Sequence, residues 1–175
     1  MISYNVFLER DRLPAAADWA RSLREAGFDV QLPEDFEPGS HSGYLPCPDD
    51  RTGFEYYLES FTAPTIEIGA AGAKAIGARN SVANLRFSGR PSDRAAAVAA
   101  AATLTVMTDG VLFDTETGHF IGADEALPWA RNERYQPLAV YRRRSARRKA
   151  RLTPPIILRL LIILVLVIMI YWLRR

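Results

Sequence analysis

Apolar residues along this chain recur with two different periods before they merge into one unbroken run. "ISYNVFLE" (2–9) is rich in β-branched and aromatic residues and predicts a first strand. "RLPAAADWARSLREAG" (12–27) spaces Leu13, Ala16, Trp19, Ala20, Leu23 and Ala26 as one helix face, with Pro14 near its start and Gly27 at its end. "FDVQL" (28–32) alternates and predicts a second strand, followed by a polar, turn-rich loop over 33–53. "FEYYLESF" (54–61) predicts a strand with Phe54, Tyr56 and Leu58 on one face and Glu55, Tyr57 and Glu59 on the other. Further short strands are predicted over 65–70 and 81–89.

"PSDRAAAVAAAATLTVMTDG" (91–110) predicts the clearest helix, capped at Ser92 or Asp93 and closed by Gly110; its alanines allow close approach to a sheet. "VLFDTETGHFIG" (111–122) predicts a hairpin turning between Asp114 and Gly118, and 124–135 a short helix. Strands and helices in this order predict an α+β fold: a ferredoxin-like βαββαβ two-layer sandwich, an antiparallel sheet with two helices on one face, followed by a C-terminal transmembrane helix. Such a sandwich hosts unrelated activities, so the function has to come from side chains.

The periodicity stops at the C-terminus. Leu160 to Leu173 are fourteen apolar residues without interruption, and Ile156–Arg159 extend the stretch to 18. At roughly 1.5 Å rise per residue this gives about 27 Å of helix, close to a hydrocarbon core of about 30 Å. Arg159 lies in the first turn, where its stem can reach back to the headgroups. The run is apolar all round, so neither a core helix with a polar stripe nor an amphipathic surface helix fits it. Tyr171 and Trp172 fall at the far end, where an aromatic belt sits, and Pro154 and Pro155 suit a helix start.

Charge then sets the orientation. Residues 1–141 hold 12 basic and 20 acidic groups, a net of −8, whereas residues 142–175 hold ten basic groups and no acidic one. The mean hydropathy of −0.06 averages over an acidic body and a basic, oily tail. Arg142, Arg143, Arg144, Arg147, Arg148, Lys149 and Arg151 precede the span, against two arginines after it, which predicts a cytoplasmic N-terminal side. These residues and Arg159 are expected at a membrane surface with anionic headgroups, each nearby charge contributing around 1 kcal/mol. Their position directly against the span favours lipid over nucleic acid. In layout, residues 142–175 resemble the tail-anchored, C-terminal single-pass membrane proteins as a class. That resemblance implies a domain made in the cytosol and then pinned to the membrane from that side. The expected division is a cytosolic domain over 1–135, a basic linker over 136–155 and a transmembrane helix over 156–173.

Composition adds little more. Cys47 is the single cysteine, so no internal disulfide can form. "MISYNVFLERDR" lacks the basic and apolar regions of a signal peptide. Only Lys74 and Lys149 of the 22 basic residues are lysine; with abundant alanine, this is the bias of a GC-rich genome and points to a bacterial source.

Catalytic chemistry is sparse. "IGAAGAKAIGAR" (68–79) has glycines but matches neither the Walker nor the dinucleotide spacing, and reads as a flexible small-residue connection. "HSGYLPCPDD" (41–50) gathers His41, Tyr44, Cys47, Asp49 and Asp50, yet a zinc site needs a second Cys or His pair and only His119 remains. A Cys–His nucleophilic pair needs spatial neighbours that spacing alone does not supply. Asp114, Glu116 and His119 lack the spacing of a calcium loop and read as a polar hairpin turn. No catalytic set, cofactor or metal is therefore expected. Glu55, Tyr57 and Glu59 on one strand face suit a protein-binding surface. The sequence thus predicts a membrane-anchored cytosolic protein-interaction module, such as a bacterial immunity or accessory protein at the inner membrane. The alternative is a membrane-tethered enzyme or ligand sensor using loop 33–53 and His119.

Overall fold

The computed structural model describes residues 2–47, 51–62 and 70–134. Along the chain these form β1 (Ile2–Leu8), α1 (Ala16–Glu25), β2 (Ser42–Pro46), β3 (Gly53–Ser60), α2 (Ala70–Ile76) and β4 (Ser81–Phe87). Then follow α3 (Pro91–Thr108), β5 (Val111–Asp114), β6 (His119–Gly122) and α4 (Ala123–Trp129), with a π-helical turn over Ala130–Arg134. The strands make one six-stranded antiparallel sheet in the order β2-β3-β4-β1-β5-β6. The mixed α+β class expected from the pattern is therefore correct.

Strand alternation divides the sheet into two unequal faces. Tyr4, Val6 and Leu8 of β1 join Ala83 and Leu85 of β4 and Phe54 and Tyr56 of β3 in the main core. Phe7 points the other way and packs with Val82, Phe61 and Ile76 of α2 in a smaller cluster. The main core is roofed by α3, which touches β1, β3, β4 and β5 below and α1 and α4 beside it. Ala95–Ala97 and Ala99–Ala102 are all fully buried. A helix enclosed on so many sides needs small side chains, which is why this one is almost a run of alanine. Its buried Thr103, Thr105 and Thr108 hydroxyls donate to carbonyls four residues back at 2.7–2.8 Å, so no hydroxyl is stranded.

Four local expectations are corrected. Residues 28–32 form no strand: Phe28 and Val30 are buried in the main core, but no ladder pairs with them. Their alternation reports a segment pinned to the core by two side chains, not a pleat. The second strand instead lies inside the predicted loop 33–53, as β2 against β3. Gly43 (φ 130°) and Pro46 disguised it; both are tolerated there because β2 is an edge strand. The small-residue connection after residue 69 contains α2, since alanines favour helix once Ile76 has an apolar face to cover. At α3, Arg90 is the N-cap and Pro91 the first helical residue, two or three residues earlier than expected. Asp49, Asp50, the predicted strand residues 65–69, the basic linker and the apolar run 156–173 lie outside the described residues. Among the described residues, no helix is long and apolar enough to cross a membrane.

Candidate functional site

The register lines up two rows of side chains on the sheet face turned away from α3. One row runs Tyr44, Glu55, Arg86, Ser3 across β2, β3, β4 and β1. The next runs Tyr57, Asn84, Asn5, Phe113, Phe120 across β3, β4, β1, β5 and β6. Directly opposed residues lie close enough to interact, so neighbours in a row set one another's rotamers. The Arg86 guanidinium carbon lies 4.9 Å from the Tyr57 ring centroid, and its Nε donates to Asn84 Oδ1 at 3.3 Å. The Tyr57 hydroxyl donates to Glu55 Oε2, also at 3.3 Å. Phe113 and Phe120 stack with centroids 4.6 Å apart.

Where β4 runs into α3, this face turns a corner into a cleft of about 510 Å³. Ile2, Phe54 and Phe87 form its apolar floor, the Tyr44 ring its lip, and Arg86 and Arg90 its cationic rim. Tyr44 is 45% exposed, unusual for so large a ring. A β-carbon on Gly53 would fall 2.2 Å from the Leu45 carbonyl oxygen and 2.8 Å from Tyr44 Cζ, so glycine is what allows the ring to lie over this strand end. The volume and apolar lining suit a small ligand or a few peptide residues.

Asp93 fastens the corner. It is 1% exposed, in the first turn of α3, where a carboxylate meets the positive end of the helix dipole. Its Oδ2 accepts from the Ser88 hydroxyl and, at 2.8 Å, from Arg90 Nε, while its Oδ1 accepts from the Gly53 N–H at 3.3 Å. Ser88 Oγ in turn accepts the Arg90 N–H at 3.1 Å. The turn "SGR" between strand and helix is thereby rigid, and Arg90 is aimed rather than free to sweep.

The residues singled out in the sequence are distributed differently. Tyr44 and Glu55 line the cleft, and Tyr57 adjoins it through Arg86. Glu59 is exposed two pleats away, opposite Val82. Cys47 is fully buried, its Sγ 3.6 Å from the Leu45 carbonyl oxygen, and burial pushes its thiol up to about 12. A thiol held neutral at physiological pH is a packing group, not a nucleophile. His41 packs edge-on to Phe36 at 5.3 Å, and its buried Nε2 has no hydrogen-bond partner among the described residues. His41 and Cys47 flank the two ends of β2, about 20 Å apart for six extended residues. His119 lies on β6 at the opposite edge of the sheet. Five strand spacings separate it from β2, roughly 24 Å. No Cys–His pair is assembled from these residues.

Asp114 is a turn former. It is fully buried and accepts from the Glu116 N–H at 2.9 Å and the Thr117 hydroxyl at 3.0 Å, while Glu116 pairs with Arg94. Among the described residues, no three His, Cys, Asp or Glu side chains gather as a metal site. Sequence reasoning missed Arg86, Arg90 and Asp93. The signal was present in "RFSGRPSD", where a strand ends one turn-forming Ser-Gly before a proline-started helix carrying an early carboxylate. Comparison with known proteins adds no assignment: no family model, curated protein or solved structure matches the chain.

Proposed function

We propose that this protein is a membrane-anchored, non-enzymatic interaction module whose cytosolic body binds a protein partner at the cytoplasmic face of a bacterial inner membrane, as an immunity or accessory factor would. The body takes a ferredoxin-like βαββαβ arrangement in this reading. The central order β3-β4-β1-β5, with α1 following β1 and α3 following β4, supports it, β2 and β6 being additions at the two edges. The apolar run 156–173 is the anchor, and the arginine-rich stretch before it holds the anionic leaflet.

The observation that carries the reading is the Tyr44–Glu55–Arg86–Tyr57 group. Aromatic rings and an arginine, held by one another and set beside an apolar cleft, are the side chains enriched where proteins bind tightly. Tethering to a surface raises the effective concentration for a partner already there. Two measurements on the full-length chain test this. The protein should resist alkaline carbonate extraction from membranes, and photo-crosslinking from position 59 in cells should trap a protein that is no longer trapped when Tyr57→Ala is added. Release by carbonate overturns the anchor; recovery without any crosslinked protein overturns the partner.

A second reading, a membrane-tethered enzyme or ligand sensor, draws on the cleft itself, to which the 33–53 segment contributes Tyr44 and Gly53. His119 is at the wrong edge of the sheet to take part.

A further inference from the structure

We infer that the cleft between β4 and α3 captures the C-terminus of a peptide: a free carboxylate together with an apolar final side chain. The inference rests on the interaction-module reading and specifies what part of the partner is held.

Arg86 commits its Nε to Asn84, and Arg90 commits its Nε to Asp93 and Ser88. In both, the terminal NH2 groups have no hydrogen bond among the described residues, and both side chains line the same cleft. Each guanidinium is fixed at its stem, Arg86 also lying over the Tyr57 ring, and each keeps terminal N–H donors of the kind that meet a carboxylate.

Arg86 also lacks the counter-ion its position would predict. Glu55 stands directly opposite it in register, where opposite charges on one face ordinarily pair. Instead Glu55 takes the Tyr57 hydroxyl, and among the described residues Arg86 makes no ion pair. An anion entering the cleft would supply the missing charge.

The remaining lining selects which anion. Ile2, Phe54 and Phe87 below and the Tyr44 ring above offer an apolar slot, which inorganic phosphate or a sugar phosphate would leave unfilled. Glu55 and Asp93, the latter already paired with Arg90, are two carboxylates in the cleft lining that oppose a doubly charged phosphate, and Glu55 can accept an N–H. A peptide end presents both features at once: a carboxylate for the arginines and, one residue back along its backbone, an amide N–H within reach of Glu55. Capture of a terminal carboxylate is an established way of reading a peptide end.

The test uses the full-length chain in detergent micelles and five fluorescein-labelled pentapeptides. These end in valine, leucine, isoleucine, phenylalanine or tryptophan, each made as free acid and as C-terminal amide. Anisotropy should show at least one free acid binding about tenfold or more tighter than its amide, the loss expected when a charge-assisted fork has no carboxylate. Arg86→Gln should weaken that peptide by about tenfold or more. Arg86→Lys, which keeps the charge but not the fork, should give a smaller loss, and Glu125→Gln, exposed on α4, none. Circular dichroism and urea midpoints of both Arg86 variants identify any loss that comes from unfolding. Equal affinity for acid and amide overturns the inference, as does phenyl phosphate outcompeting every free-acid peptide, or no binding at all. If Tyr57-dependent crosslinking to a partner persists in Arg86→Gln, and the peptides still fail to bind, the interaction reading stands while the terminus-capture inference falls.

Discussion

The carboxylate of Asp93, in the first turn of α3, accepts the backbone N–H of Gly53 at the start of β3, forty residues earlier in the chain. This bond ties the central helix to the sheet edge that forms the cleft. Asp93→Ala would leave the Gly53 N–H, the Ser88 hydroxyl and Arg90 Nε without their acceptor. Bonds to a charged group are worth about 1.5–3 kcal/mol, and a buried donor left unmade adds to the loss. We predict a destabilisation of about 2–3 kcal/mol for Asp93→Ala and roughly half that for Asp93→Asn, which keeps one acceptor oxygen. Urea unfolding monitored by tryptophan fluorescence should show the midpoint moving with an unchanged slope. Equal midpoints for wild type and Asp93→Ala would show that the corner is held by packing alone.

Cys47 supplies a prediction with a sign in pH. Burial raises its thiol from 9.0 to about 12, so the folded protein holds a proton that the unfolded chain releases above pH 9. The stabilising term is complete below pH 9 and declines as pH rises towards 12, by about 1.4 kcal/mol for each unit. Burial also raises the Tyr56 hydroxyl, against a weaker opposing effect of Arg10, so a second decline joins above pH 10. Between pH 9 and 10 the slope of stability against pH should therefore be lost in Cys47→Ala, whatever that variant's absolute stability. At pH 8 the buried, neutral thiol should also be labelled far more slowly in the native protein than in urea. Rapid labelling of the native protein by a disulfide reagent would refute the burial.

How far the sequence could be read depended on what kind of contact decided each element. β1, β3, β4, α1 and α3 were legible because their patterns match their burial: Phe54, Tyr56 and Leu58 point inward and Glu55, Tyr57 and Glu59 outward, as alternation required. β2 was hidden because its partner, β3, supplies the pairing while three of its own five residues are serine, glycine and proline, the usual marks of a turn. Phe28 and Val30 misled for the opposite reason, since burial without a ladder alternates just as a strand does. The cleft was half visible. Tyr44 and Glu55 stood out as residues, but Arg86 and Arg90 belong to it only through register and through the Asp93 bond, neither of which any local window contains.

Asn5 gives a test of what the open sheet face is for. Its Oδ1 is buried and has no hydrogen-bond partner among the described residues, although it sits in the row between Asn84 and Phe113. An unmet buried acceptor costs about 1–3 kcal/mol, so Asn5→Val, apolar and β-branched in a central strand, should raise stability by about 1 kcal/mol. Thermal unfolding by calorimetry measures it. A variant that is more stable yet loses partner crosslinking would mark Asn5 as a residue kept for binding at the expense of folding.

The alanines of α3 make the sharpest claim about packing. Ala100 is fully buried, as are its helical neighbours Ala96, Ala97 and Leu104, and the helix is held between the sheet on one side and α1 and α4 on others. Adding three carbons there has no solvent side to relax into, and overpacking of this kind costs about 1–3 kcal/mol or more. Ala100→Leu should therefore lower the unfolding free energy by that amount, read from a lower urea midpoint at unchanged slope, despite leucine being nearly as good a helix former as alanine. Val106→Leu, on the same helix but 37% exposed, should change stability by no more than about 0.5 kcal/mol. The pair separates propensity from space: both substitutions put leucine into α3, and only one lacks room. If the two variants unfold at the same urea concentration, the helix does not lie against the sheet at the close distance that its alanines permit, and the floor of the cleft, built from Phe54 and Phe87 in that same core, loses its support.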